Sequence, residues 1–205
     1  MGNNASLKPV IEKLEDLFDQ ANDRFYDGKL ERPVITVSPD TKGSYGWCTS
    51  WRAWKKGEEE GGYFEINLCS EHLSRPFEEV LGTLMHEMVH LYCAINEIKD
   101  TSRSGTYHNK RFKEIAESHG LILHQDQKYG WIGRELNDEG KAFLESVKSE
   151  GFALHRQSPV EIKKEAKKSS SRKYICPCCG LIVRATKEVK IICADCNMML
   201  ELEEA

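Results

Sequence analysis

Between Val80 and Ile95 almost every residue is apolar, and the polar exceptions Thr83, His86, Glu87 and His90 recur at i, i+3, i+4 and i+7. That spacing puts all four on one face of a helix. Such a helix is buried on most sides yet carries a polar stripe, which is costly unless something satisfies it. Just upstream, Ser74, Pro76, Glu78 and Glu79 predict the helix start: a capping hydroxyl, an early proline and acids near the positive dipole end. The helix is expected to run to Ile95 or Ile98.

Zinc answers the stripe. His86 and His90 lie one turn apart and can point both imidazoles at one ion, at the short zinc–nitrogen distance of about 2.0–2.1 Å. Glu87 sits beside them without being drawn into coordination, so it can hold a water and take its proton. A catalytic zinc keeps three protein ligands and one open position. The third ligand comes from His72, His108, His119, His124 or His155, or from the carboxylates Glu114 and Glu117. His108 is the strongest of these: a loop long enough to return to the metal helix precedes it, and it is expected to open the next helix, with Phe112 and Ile115 on that helix's apolar side. His119, near that helix's C-terminus, reads as a favourable end charge. Cys93 stands where the metzincin pattern needs glycine, which excludes that pattern.

The remaining elements frame this helix. Leu7, Val10, Ile11, Leu14, Leu17, Phe18, Ala21 and Phe25 form the apolar stripe of an opening helix, ended by Asp27-Gly28. Pro33 precedes a short strand, Val34 to Val37. Two further strands are expected, around Ser44 to Trp54 and over Gly62 to Leu68, joined by a Gly/Glu-rich hairpin loop. Trp47, Trp51 and Trp54, with Arg52, Lys55 and Lys56, read as core or edge-strand packing. A polar loop is expected through Asp100, Ser102, Ser104 and Gly105, a helix from near His108 to His119-Gly120, and a final helix capped by Asn137.

The run Gly82-Thr83-Leu84-Met85-His86-Glu87-Met88-Val89-His90, the spaced His108 followed by Phe112, and the upstream strand resemble the SprT-like family. The opening helix with Phe25, Gly28-Lys29-Leu30 and Pro33 is similar to that family's start. The resemblance spans roughly residues 7–135 plus a C-terminal ribbon. It implies an α+β, zincin-like metalloprotease domain with a small sheet packed on helices, and an activity against proteins crosslinked to DNA. Asn109 departs from the pattern, since family members often have glycine after the third histidine.

The C-terminal end carries a different signal. Cys176-Pro177-Cys178-Cys179 and Cys193-Ala194-Asp195-Cys196 form two knuckles with thirteen residues between them, expected to fold as a hairpin through Leu181-Ile182-Val183 and Val189 to Ile192. Cys176, Cys179, Cys193 and Cys196 close a tetrahedron with no open position, a structural zinc, leaving Cys178 as a spare thiol. Charge divides the chain in the same way. Residues 1–155 are net −7, residues 156–173 net +5 and residues 174–205 net −2. The chain thus reads as a domain over 1–155, a basic flexible linker over 156–173 with Ser158-Pro159 and Ser169-Ser170-Ser171, and a zinc ribbon over 174–205. Arg172, Lys173, Arg184, Lys187 and Lys190 could meet phosphates and Tyr174 could stack on a base, against an acidic Glu201-Glu203-Glu204 tail.

Together these readings predict a zinc endopeptidase with one catalytic and one structural zinc, a protein substrate, and DNA contacted through linker and ribbon. The oxyanion donor is open among Tyr45, Tyr63, Tyr92 and Tyr107. The rivals are a nucleic-acid-binding or transcription-associated adaptor with an idle site, and a metal-dependent hydrolase of non-peptide bonds. With no signal peptide visible and no apolar run long enough to span a bilayer, a cytosolic protein is expected, nucleoid-associated or nuclear if directed to DNA.

Overall fold

A computed structural model describes residues 5–39, 43–58, 61–147, 151–152, 154–157 and 172–203. Its contacts divide the chain into two compact units, Met1–Ser158 and Pro159–Ala205. Most of the expected basic linker lies outside the described residues. No helix among the described residues is long and apolar enough to cross a membrane.

The first unit opens with α1 (Lys8–Tyr26), whose stripe buries Val10, Leu14, Leu17, Phe18 and Ala21. Asp27 and Gly28 end it in left-handed conformation, at φ 55° and 68°. The buried Asn22 side chain then clamps Leu30 through both its amide and its carbonyl. Strands β1 (Val34–Ser38), β2 (Gly46–Cys48) and β3 (Glu65–Cys69) form a sheet in the order β1-β3-β2, with β1 parallel and β2 antiparallel to β3. The second strand is shorter than the sequence suggests, because only three residues pair with β3 before the chain leaves the sheet.

A 3-10 turn (Ser70–Ser74) leads into α2 (Phe77–Ile95). Ser74 does not cap α2: it closes the 3-10 turn, its hydroxyl donates to the Glu71 carbonyl, and Pro76 takes the N-cap position. The expected loop after α2 is instead a hairpin of β4 (Thr101–Ser102) and β5 (Tyr107–His108), turning through three left-handed residues, Arg103, Ser104 and Gly105. His108 therefore ends a strand rather than opening a helix. Asn109 is the N-cap of α3 (Lys110–Ser118), its Oδ1 accepting from the backbone of Arg111 and Phe112. Its φ of −88° needs no glycine.

The antiparallel pair β6 (Leu121–Asp126) and β7 (Gly130–Leu136) has no counterpart in the sequence reading. It completes a second sheet in the order β4-β5-β7-β6. Asn137 caps α4 (Asp138–Ser146) through Gly140, as its residue type predicts. Helix α2 packs against β2 and β3 of one sheet, β7 of the other, and α1 and α3. A Cβ at Gly82 would lie 2.0 Å from the Arg134 carbonyl oxygen, so the absence of a side chain there is what brings α2 onto β7.

The second unit holds β8 (Arg172–Ile175), β9 (Ile182–Ala185), β10 (Ile192–Cys193), β11 (Met198–Met199) and β12 (Glu201–Leu202). The expected hairpin between 181–183 and 189–192 does not form. Each cysteine knuckle turns the chain back on its own flank, so β9 pairs with β8 and β10 with β11. Tyr174, Cys176, Cys193 and Leu200 are the whole buried core of this unit among the described residues.

Candidate metal centre

Helix α2 supplies His86 and His90 one turn apart, and β5 supplies His108. One donor nitrogen from each lies within 4.8 Å of the others. The His90 and His108 Nε2 atoms are 3.1 Å apart. The outward nitrogens of the α2 pair are tied down: His86 Nδ1 donates to the Gly133 carbonyl at 3.2 Å, and His90 Nδ1 to Asp100 Oδ2 at 2.5 Å. A carbonyl can only accept, so the proton of His86 sits on Nδ1, and the inward Nε2 keeps its lone pair. Phe112, fully buried, lies against all three imidazoles at 4.4–4.8 Å between ring centroids.

Burial, then the charge of His90, pushes His86 well below the usual histidine range. The same causes in the same order push His108 down to about 4. Both rings are therefore neutral at pH 7, the form that ligates metal. Burial opposes ionisation of Asp100, yet the hydrogen bond and charge of His90, with hydrogen bonds from the Asp100 backbone and Thr101, together outweigh it and hold that carboxyl below its usual range. Glu87 is only 3% exposed and burial raises its pKa. The other polar member of the stripe, Thr83, has an ordinary structural role, donating to the Glu79 carbonyl and accepting from Arg75.

Three converging imidazole nitrogens fit a divalent metal, and an open cleft of about 700 Å³ lies over them. Its lining includes Trp47, Cys48, Glu87, Cys93, Asp100 and Arg134. Among the described residues, none of Tyr45, Tyr63, Tyr92 or Tyr107 lines it. Tyr92 packs on Tyr26 and His119, Tyr63 bridges to Trp54, Tyr107 lies under Arg103, and Tyr45 lies under Arg75 and Arg134. Arg134 is the cleft residue that the sequence reading missed. Its signal needed β7 first: it stands two residues before the buried Leu136, on the inward side of a strand.

The other candidates stand apart from the cluster. His72 meets Tyr45 edge-on, His124 faces Glu135, His155 is exposed, and Glu117 pairs with Lys113 on α3, which also carries Glu114. His119 donates from Nδ1 to the Ile115 carbonyl and stacks on Tyr26. Burial lowers its pKa, so it is a neutral cap and not the charged helix end expected. Trp51 and Trp54 are 65% and 43% exposed, not core residues, because the chain leaves the sheet after Cys48. Trp47 does lie on the edge strand.

In the second unit one sulfur from each of Cys176, Cys179, Cys193 and Cys196 lies within 4.8 Å of the others, all unbridged. Backbone N–H groups, of Cys179 first and Cys178 after it, draw the Cys176 thiol down to about 7. Cys178 is exposed and outside the cluster. The set is consistent with a zinc ribbon. Tyr174 cannot stack on a base: it is buried, and its hydroxyl accepts from the Val189 N–H.

A helix bearing two histidines one turn apart, a third from a following hairpin and a buried glutamate beside them form a candidate metal centre. The SprT-like family model matches residues 14–129, which include all three histidines, and the chain belongs to that family. Among curated proteins it is similar to the DNA-dependent metalloprotease SPRTN of Rattus norvegicus and of Mus musculus, 34% identical over 112 residues in each case. These alignments cover 54% of this chain and 21% of each relative. The Homo sapiens protein of the same name is 28% identical over 156 residues, covering 63% of this chain and 30% of that one. The chain thus spans less than a third of the length of these relatives.

Proposed function

We propose that the chain is a zinc endopeptidase with a zincin-type fold over residues 1–155, joined by the basic segment 156–173 to a structural zinc ribbon over 174–205. The reading assigns His86, His90 and His108 to the catalytic zinc and Cys176, Cys179, Cys193 and Cys196 to the structural one. The observation that carries it is the convergence of three imidazoles, two of them anchored on their outer nitrogens, beside a buried Glu87 on the floor of an open cleft. When bound, zinc supplies Lewis acidity to the scissile carbonyl and to water. Glu87 takes a proton from the attacking water and returns it to the leaving amine nitrogen. Asp100 and the Gly133 carbonyl hold two of the imidazoles in the tautomer that ligates.

The substrates we propose are proteins associated with or crosslinked to DNA, on the strength of the relatives' name. The linker and ribbon would raise the local concentration of substrate instead of reading sequence. Lys173, one of the ribbon cations, is paired with Glu203 and is less available for this than Arg184, Lys187 or Lys190. Incubating a protein–DNA crosslink with wild-type chain and with Glu87→Gln tests the reading. Wild-type chain should release fragments readable by mass, and the variant none while keeping its zinc. Equal proteolysis by the two removes Glu87 from the reaction.

A further inference from the structure

The strongest unassigned feature of the cleft is the Arg134 guanidinium. Arg134 lines the cleft with Glu87 and the three histidines, and its Nε is buried with no hydrogen-bond partner. It has no ion-pair partner among the described residues. Leaving a guanidinium N–H buried and unsatisfied costs free energy, which an acceptor brought to the group would recover. The residue lies beyond the stretch matched by the family model, so family membership assigns it nothing.

Its placement is fixed from three sides. The preceding residue, Gly133, accepts from His86 Nδ1, which registers β7 on the metal-binding helix. Arg134's own carbonyl lies against Gly82 of α2. The Tyr45 ring lies 4.9 Å from the guanidinium carbon and is shared with Arg75 at 4.1 Å. Arg75 is itself committed to Thr83 and to the His72 carbonyl, so it remains as a support while Arg134 faces the cleft. Arg134 thus lines the same cleft as His86, Glu87, His90 and His108.

We infer that Arg134 is a catalytic residue that donates to the oxyanion of the tetrahedral intermediate. The inference rests on the peptidase reading above. When water adds, a bond forms between its oxygen and the carbonyl carbon, its proton passes to Glu87, and the carbonyl π pair moves onto the carbonyl oxygen. That oxygen gains the charge that a fixed guanidinium N–H in a half-enclosed cleft stabilises. On collapse the pair returns, the carbon–nitrogen bond breaks, and the amine leaves with the proton from Glu87. No tyrosine is needed for the donor, in keeping with the absence of all four sequence candidates from the cleft lining.

The test uses the full-length zinc-loaded chain with Arg134→Met and Arg134→Lys. Loss of one oxyanion donor typically costs about 10²–10³ in kcat. Arg134→Met should show that loss with KM changed by less than about threefold and zinc content unchanged, and Arg134→Lys should recover part of it. By calorimetry, a phosphinic peptide that mimics the tetrahedral anion should bind Arg134→Met weaker by a factor similar to the kcat loss, and free guanidinium ion should restore part of the turnover. The role is overturned by an unchanged kcat, by a loss confined to KM, or by a loss of zinc that accounts for the defect. A wild-type chain that binds the phosphinic peptide no better than the matching unmodified peptide contradicts the peptidase reading itself. Tight binding that Arg134→Met leaves intact contradicts only the role of Arg134.

Discussion

The histidine and cysteine clusters gather their donor atoms within the same 4.8 Å, but they reach that closeness by opposite routes. The histidines stand on a helix and a strand backed by an extensive apolar core. Around them α2 buries Leu81, Leu84, Met88, Val89 and Leu91, and Phe112 backs the three rings. Two of the three imidazoles are already aimed by hydrogen bonds on their outer nitrogens. The cysteines sit in turns, and among the described residues their buried core is Tyr174 and Leu200 with Cys176 and Cys193 themselves. On the proposed reading the metal is a reagent in the first unit and a structural member in the second.

Removing metal tests that contrast most severely. With a strong chelator, amides of β8 to β12 should lose all exchange protection, since a structural zinc contributes about 10–16 kcal/mol to such small modules. Those of α1 and α2 should stay protected in the same sample, and equal loss in both units would erase the distinction. Next in size is Asp100→Ala, which removes the acceptor from His90 Nδ1. Zinc affinity of the histidine site should fall about 10–100-fold by chelator competition, while the ribbon zinc is unaffected. An unchanged affinity would mean that the helix alone aims the ring.

The smallest effect concerns a histidine that never joins a metal. Burial puts the folded-state pKa of His119 below the unfolded value. The neutral ring therefore stabilises the fold above the unfolded value near 6.5, and that contribution is lost as the pH falls through the folded value. The melting temperature of wild-type chain should drop more between pH 7 and 5 than that of His119→Gln. Parallel curves would remove His119 from the acid response.

What could be read in the sequence was local. His86, Glu87 and His90 share a face by helical spacing alone, and the two Cys-x-x-Cys knuckles specify their own turns. His108 was legible as a residue but not as a strand end, because a two-residue β5 pairs with β4 and β7 across the chain and leaves almost no periodic trace. The β6–β7 pair was missed for a related reason: the alternation of Gly130 to Leu136 is interrupted by Gly133 and by a register shift opposite Ile122 and His124. Arg134 went with it, since a cation's aim cannot be read before its strand is known. Trp51 and Tyr174 failed in opposite directions: Trp51, expected in core or edge-strand packing, is exposed, and Tyr174, expected to be free to stack on a base, is buried. Tertiary pairing, not residue type, decided both.

Counting zinc and turnover together on one variant tests the central assignment most directly. Wild-type chain should hold two zinc ions and cleave protein substrate. His108→Ala should hold one, retained by the cysteines, and cleave nothing. A His108→Ala chain that keeps two ions and full turnover contradicts the account.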